Sequence, residues 1–185
     1  MLSPSDFVAR WGSDELVGFP AKGVDRLPLA AEDKAFLVQA GLPAEAAPFL
    51  AFDAPQSADL PTVAEQWGVA DEFRRYRVIG SDGSGNPIAL DEQSEGEVVW
   101  LDHENRFSRA LMNKSVRQMA ESLLAYRKLV EDTQAEFGPD AFLDGKASVA
   151  ARNKLREVLT KIDSAAVMPG CFWHGELQNL DANAG

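Results

Sequence analysis

Residues 76–112 contain short apolar runs separated by turn-forming residues, and this pattern predicts an antiparallel meander of β-strands. In chain order, the expected strands are 77–79, 88–90, 97–103 and a weaker run at 107–112. The third is the strongest because β-branched and aromatic residues follow one another at 98–100. We therefore expect a largely antiparallel central sheet, spanning about 73–112, in a domain that mixes helices and strands.

Turn-forming residues bound each of these runs. The first turn reads SDGSGNP, in which glycine admits positive φ without a Cβ clash and Pro87 has no N–H to give to a ladder. Further turns are expected at 92–96 and 102–106. Between the first two turns, Ile88 and Leu90 alternate with other residues, which is the period of a strand with one buried face.

Apolar residues at spacings of three and four predict helices on either side of the meander. The expected helices lie at 3–11, 29–40, 115–136 and 148–163, with one further helical turn at 62–68. The longest begins with a predicted capping box, in which the Ser115 hydroxyl accepts from the Gln118 N–H and the Gln118 side chain reaches back. Residues 13–28 are expected to form a loop. Four prolines in 41–61 exclude a long helix there, although residues 49–52 suit a short strand or a buried turn.

The C-terminal segment 168–177, MPGCFWHGEL, predicts a turn followed by a short closing strand, and residues 178–185 a frayed tail. At 185 residues, the chain is expected to form a single domain, with residues 1–25 as a candidate N-terminal extension. The sequence has no run of about 18 apolar residues and no secretory signal pattern at its N-terminus. Its one cysteine, Cys171, excludes an internal disulfide and fits a reducing compartment, so we expect a cytoplasmic location.

Net charge departs most from that of an average globular protein. The chain carries −11, and the first hundred residues hold 17 acidic against 7 basic residues. Direct binding to nucleic acid is not expected, because such binding depends on Lys and Arg neutralising phosphates. A basic protein partner would be attracted to the acidic half. The need for solubility alone also explains an acidic surface, and this alternative stays open.

Two sequence features superficially suggest ligand chemistry. The glycine-rich first turn lacks the lysine of a phosphate-binding loop and leads into a strand instead of a helix, so we interpret it as a turn. Only two histidines occur, His103 and His174. A metal site using Asp102, His103 and Glu104 would require neighbouring strand residues to converge, although they point to opposite faces.

Nucleophilic and acid–base chemistry are the remaining enzyme alternatives. Cys171 near His174 matches no nucleophile motif, and a lone cysteine beside two aromatic residues is typical of a small core residue. The carboxylates of Asp82, Asp91 and Asp102 lie near predicted strand ends, where turn roles explain them as well as catalysis does. The aromatic residues Trp100 and Trp173 lie in apolar runs and are expected in the core.

Three motifs in fixed order resemble a known family. They are YRVIGSDGSGNPIALD at 76–91, GEVVWLDHENRF at 96–107 and MNKSVRQMAESLLAYRKLVE at 112–131. Together they resemble the core of the SUKH superfamily, most closely the fourth of its immunity-protein families, whose members also show a motif like GLP at 41–43. The resemblance covers residues 27–130 well and FWHGEL at 172–177 more loosely.

The resemblance implies an α+β fold with a central, largely antiparallel sheet flanked by helices. It also implies a cytoplasmic antidote to a bacterial polymorphic toxin, often a nucleic acid deaminase or nuclease. It supplies no catalytic residue, and we expect neither a cofactor nor a metal ion. The family's motif positions in this chain are implied to be structural or cleft-lining: Ile79, Gly80, Gly83, Gly85, Asp91 and Trp100.

We hypothesise that the protein binds and occludes a basic toxin domain through acidic turns near 81–104, without turnover. The candidate contact residues are Asp82, Asn86, Asp91, Glu95, Glu97 and Asp102. One alternative is a non-catalytic scaffold of the same superfamily in signalling or cell-wall regulation, and a toxin gene beside this one would distinguish the two. Another is a small hydrolase using Asp82, Asp91 or His103.

Overall fold

The structure is a computed structural model that describes residues 2–55 and 57–183. Eight strands are present in this part of the chain: β1 (Leu16–Val17), β2 (Leu42–Pro43), β3 (Glu45–Ala46), β4 (Leu50–Phe52), β5 (Tyr76–Asp82), β6 (Pro87–Asp91), β7 (Glu97–Asp102) and β8 (Ser108–Asn113). Strands β3 to β8 form one antiparallel sheet in chain order, and β1 pairs with β2. The predicted antiparallel meander is therefore confirmed, and the hairpin β3–β4 extends it at one edge.

Seven helices surround the large sheet in the described residues. They are α1 (Pro4–Trp11), α2 (Ala21–Val24), α3 (Ala31–Gln39), α4 (Val63–Trp67), α5 (Val116–Phe137), α6 (Val149–Ile162) and α7 (Phe172–Ala182). Five of them lie where the apolar spacing predicted helical structure. The short α2 lies in a segment expected to be a loop. The fold is thus α+β, as the resemblance implied.

Helix α7 replaces the closing strand expected at 168–177, so that prediction was wrong. Trp173 and Leu177, one helical turn apart, are both buried in the main core, and the indole Nε1 of Trp173 donates to Asn113 Oδ1 at 2.9 Å. This tertiary contact outweighs the β-propensity of the local sequence. The helix continues to Ala182, into the segment for which a frayed tail was expected, and residues 184–185 lie outside the described part.

Both faces of the sheet are covered. The main core lies between one face and helices α1, α3, α5, α6 and α7. A smaller core on the other face consists of Val63, Tyr76, Val78, Ala89, Val99 and Leu101. All five residues of β6 are consequently buried, so the expectation that this strand has one buried face was wrong.

The N-terminal helix α1 packs into the main core. The ring centroid of Phe7 lies 5.6 Å from that of Trp11 and 5.2 Å from that of Phe36 on α3. The backbone N–H of Leu2 donates to Glu121 on α5 at 2.7 Å. The N-terminal segment therefore shares its core with the helices that flank the sheet.

The capping box predicted at the start of α5 is only half formed. Ser115 Oγ accepts from the Gln118 N–H at 3.2 Å, as expected. The Gln118 side-chain amide instead donates to the carbonyl of Ile162 at 2.9 Å, because the end of α6 lies within its reach. A complete capping box occurs at α4, between Thr62 and Glu65.

Candidate functional site: the three-turn end of the sheet

Successive turns of an antiparallel meander lie at alternate ends of the sheet, which determines where the predicted site residues lie. The β5–β6 and β7–β8 turns are at one end, and the β3–β4 turn joins them because Leu50 pairs with Asp82. We call this end, formed by residues 47–49, 82–87 and 102–108, the three-turn end. The β6–β7 turn lies at the opposite end.

The acidic surface predicted near 81–104 is therefore not one continuous surface. Asp82, Asn86 and Asp102 lie at the three-turn end. The remaining candidates, Asp91, Glu95 and Glu97, lie at the opposite end, where β6 turns into β7. Sequence proximity gave the impression of one surface because the strands between the turns are only five or six residues long.

Asp82 is the centre of a hydrogen-bond network at the three-turn end. Its Oδ1 accepts from the backbone N–H groups of Ser84 and Asn86, both at 2.9 Å. Its Oδ2 accepts from Asn86 Nδ2 at 2.9 Å and from Trp100 Nε1 at 2.8 Å. Burial alone would raise the pKa of Asp82, but these donors outweigh it and hold the pKa below its ordinary value.

Asn86 connects the β5–β6 turn with the β7–β8 turn. Its Oδ1 accepts from the backbone N–H of His103 at 2.9 Å and lies 2.7 Å from His103 Nδ1. Because an amide oxygen can only accept, this geometry places a proton on Nδ1 of the imidazole. Asn86 is buried, so it organises this end and exposes little surface of its own.

The network continues to helix α7. The Trp100 ring, half-buried against the main core, lies 6.4 Å from that of Phe172 at the start of this helix. One turn further along α7, Glu176 is half-buried, and burial followed by the nearby Asp82 charge raises the pKa of Glu176. The three-turn end is thus fixed to the helical layer.

Three carboxylates of the opposite end, those of Asp91, Glu92 and Glu97, are paired with arginines, whereas Glu95 is exposed and forms no salt bridge within the described residues. Asp91 has no exposed surface, and its carboxylate forms salt bridges with Arg75 and Arg109. Arg109 also binds Glu97. Burial would raise the pKa of Asp91, but hydrogen bonds from Arg75 and Gln93 outweigh it and lower the pKa. Asp91 accordingly supports the fold here and offers no surface to a partner.

Exposed acidic residues at the three-turn end lack such cations. Glu45, on β3 beside the β3–β4 turn, and Glu104, in the β7–β8 turn, are both exposed. Neither forms a salt bridge within the described residues. Asp102 accepts from the backbone N–H groups of Glu104 and Asn105 at 3.1 and 3.2 Å, which leaves its charge uncancelled. Arg106 is an exposed cation in the same turn.

Gly80, Gly83 and Gly85 of the predicted motif occupy different local environments. A Cβ on Gly80 would lie 2.3 Å from the carbonyl oxygen of Ala51 in β4, so only glycine permits this strand approach. Gly85 has a φ of +85°, and a Cβ on Gly83 would lie 3.4 Å from that of Phe49. With Ile79, Gly80 and Gly85 line a cleft of about 740 Å³ beside α4, whereas Gly83 and Trp100 are not among its lining residues.

The candidate chemistries find little support in the geometry. Within residues 2–55 and 57–183, no group of three or more His, Cys, Asp or Glu side chains is arranged to hold a metal ion. Cys171 is half-buried, not fully in the core, and burial followed by the Asp163 charge raises the pKa of its thiol. That shift is the reverse of the one that activates a nucleophilic cysteine. No described helix is long and apolar enough to cross a membrane.

Sequence reasoning missed one exposed feature of this end, Phe49. Residues 49–52 were expected to form a short strand or a buried turn, and strand β4 does form there, but the Phe49 side chain is 75% exposed. The available signal was charge: residues 35–73 contain six acidic residues and no Lys or Arg. A long unneutralised acidic stretch around a hairpin marks a surface segment.

The fold and this end define an α+β protein in which one end of the sheet is hydrogen-bonded, acidic and partly aromatic. The family model described as SUKH-4 immunity protein matches residues 2–179. The chain therefore belongs to the SUKH-4 immunity protein family, and the match includes the N-terminal segment that the motif resemblance did not cover. Comparisons with curated proteins and with solved structures gave no match.

Proposed function

We propose that this protein neutralises a bacterial polymorphic toxin in the cytoplasm by stoichiometric binding, with the three-turn end as its contact surface. The observation that carries the proposal is membership of the SUKH-4 immunity protein family across residues 2–179. We propose a nucleic-acid-directed deaminase or nuclease as the toxin, because such domains need basic surfaces and this chain carries −11.

Charge compensation favours the three-turn end over the opposite end. At the opposite end, arginine side chains neutralise Asp91, Glu92 and Glu97. At the three-turn end, the carboxylates of Asp82 and Asp102 are held by uncharged N–H donors. Their negative potential therefore extends toward a partner.

The same network supports binding through pre-organisation. The side chains of Trp100, Asp82 and Asn86 and the backbone of His103 are linked by hydrogen bonds of 2.8 to 2.9 Å. A surface that is already ordered loses less conformational freedom when it binds. Because this end is already ordered, even a small number of contacts with the partner can give measurable affinity.

The role is tested by co-expressing the protein with a candidate toxin domain, such as one encoded beside its gene, and measuring growth and co-purification. We expect growth to be rescued and a complex of fixed stoichiometry to elute as one species. Unchanged toxicity together with separate elution would overturn the proposed role.

The contact surface is tested with two double variants of equal charge. Glu45→Lys with Glu104→Lys changes the three-turn end, while Glu72→Lys with Glu95→Lys changes exposed residues at the opposite end. Both variants have a net charge of −7, because each substitution removes one negative charge and adds one positive charge. We expect the first to weaken toxin binding at least about tenfold and the second less than about threefold, measured by calorimetry.

All four glutamates are exposed, so both proteins should fold, which circular dichroism checks. Equal losses would mean that only net charge matters. A larger loss for the second variant would move the contact surface to the opposite end while leaving the neutralising role intact.

A further inference from the structure

Phe49 is an exposed aromatic residue in an unfavourable backbone conformation. Its side chain is 75% exposed, the largest exposed fraction among the large hydrophobic residues of the described chain. Its φ is +56°, in the left-handed region that bulky residues rarely adopt and that Asn or Gly occupies more readily. Neither core packing nor backbone preference therefore explains a phenylalanine at this position.

Phe49 lies at one edge of the three-turn end, next to the β5–β6 turn at its centre. It lies at the tip of the β3–β4 hairpin, immediately before Leu50, which pairs with Asp82. A Cβ on Gly83 would lie 3.4 Å from the Phe49 Cβ, which is van der Waals contact, so the hairpin tip packs directly against the neighbouring turn. The ring thus projects beside a rigid turn whose central carboxylate is charged.

The charge around the hairpin indicates what the ring would meet. Between Lys34 and Arg74, the chain has no basic residue, and the nearby acids Glu45 and Asp53 are exposed. A second copy of this acidic chain would be repelled from such a surface. A basic protein domain would be attracted, and aromatic side chains that become buried in an interface often carry much of the binding energy.

We propose that Phe49 is an aromatic anchor that inserts into an apolar pocket on the basic toxin domain, with the acidic side chains around it contacting the rim of that pocket. This inference rests on the proposed function, because the toxin is taken to be the partner. It adds a specific residue and a specific chemistry: an apolar cavity bordered by Lys or Arg on the partner.

The test uses Phe49→Ala and Phe49→Asn in the full chain, with Leu143→Ala as the matched control. Leu143 is 72% exposed and lies outside the three-turn end. Binding to a catalytically inactivated form of the neighbouring toxin domain is measured by calorimetry, and stability by thermal melting. We expect both Phe49 variants to bind about 30-fold more weakly and Leu143→Ala to stay within about twofold of the parent.

The melting temperature separates an anchor from a structural residue. If Phe49 is an anchor, we expect the Phe49→Asn protein to melt at the same temperature as the parent protein or higher, because Asn tolerates positive φ. A lower melting temperature together with the lost affinity would identify a structural residue and overturn the inference.

The remaining outcomes distinguish the inference from the proposed function. If the parent protein binds the toxin and both Phe49 variants bind equally well, the anchor is wrong and the neutralising role stands. If the parent binds no toxin, the role and the anchor both fail. If sedimentation shows a parent dimer that Phe49→Ala abolishes, Phe49 contacts a second copy, and the toxin-pocket inference is overturned.

Discussion

Asp91 shows how a single acidic residue in a turn can have a structural role. The carboxylate has no exposed surface, whereas the side chains of its two arginine partners are 29% and 31% exposed. Its Oδ1 also accepts from Arg75 Nε at 2.9 Å and from the Gln93 N–H at 3.0 Å. Removing the carboxylate would leave two guanidinium groups close together without their shared counter-ion.

We expect Asp91→Ala to lower the free energy of unfolding by about 3 kcal/mol, because breaking a buried pair leaves uncompensated charge. The control is Asp59→Ala, whose salt bridge with Arg26 is more than half exposed and should contribute at most about 1 kcal/mol. Urea unfolding of both variants measures the difference. The pKa of Asp91 is lowered in the fold, so its contribution is present at neutral pH and is lost as the pH falls through the folded pKa, below the ordinary range of an aspartate carboxyl. Equal losses for the two variants at neutral pH would contradict this role.

The sequence alone could not distinguish the role of Asp82 from that of Asp91. Both follow apolar strand residues and precede turns, so the sequence predicted strand-end positions for both, as found. Their roles differ because neutral N–H donors bind Asp82, whereas arginines from two other segments bind Asp91. Those arginines are distant in sequence, and only the pairing of the strands brings them to Asp91.

At the scale of elements, helix α7 joins the sheet to the helical layer of the core. Trp173 is fully buried, its ring centroid lies 5.9 Å from that of Tyr126 on α5, and its Nε1 donates to the buried Asn113 on β8. A single side chain thus joins the last helix, the longest helix and the edge strand of the sheet.

We expect Trp173→Ala to lower the free energy of unfolding by about 4 kcal/mol, the usual scale for removing a buried aromatic residue. Trp173→Phe should lose about 1 to 3 kcal/mol, because it fills most of the space but leaves Asn113 Oδ1 without its indole donor. The exposed Gln178 on the same helix provides the control, and Gln178→Ala should stay within about 0.5 kcal/mol. Chemical denaturation measures all three. A loss below about 1 kcal/mol for Trp173→Ala would mean that α7 is not part of the cooperative fold.

The meander was predictable because turn chemistry is local: glycine, asparagine and proline at 83–87 specify a chain reversal whatever packs nearby. Helices α5 and α6 were predictable from the three- and four-residue spacing of their apolar side chains. Helix α7 was not, because the apolar run at 171–173 suits a strand as well as a helix. Contact with Asn113 and Tyr126 decides between them, and those residues lie far away in sequence.

For the whole molecule, charge is the property that the sequence predicted only in part. The negative sign of the net charge and the excess of acidic residues in the first hundred residues follow directly from the composition. Which end of the sheet presents that charge depends on ion pairing, and the arginines of β5, β8 and the segment before β5 bind carboxylates of the opposite end. Of the two ends of the sheet, the three-turn end therefore keeps more carboxylates without a salt bridge, those of Glu45, Asp82, Asp102 and Glu104, than the opposite end, where Glu72 and Glu95 remain unpaired within the described residues.

The negative potential of the three-turn end should accelerate the encounter with the proposed basic toxin more than it slows dissociation. Raising the ionic strength from about 0.01 M to about 1 M shortens the Debye length from about 30 Å to about 3 Å. We expect the association rate constant to fall at least about tenfold over this range while the dissociation rate constant changes less than about threefold. Stopped-flow mixing with an inactivated toxin domain measures both constants. The Glu45→Lys, Glu104→Lys protein should show a shallower salt dependence than the Glu72→Lys, Glu95→Lys protein, because only the first loses charge at the proposed contact surface. An association rate indifferent to salt would exclude long-range attraction and leave short-range contacts, such as those expected of Phe49, as the source of affinity.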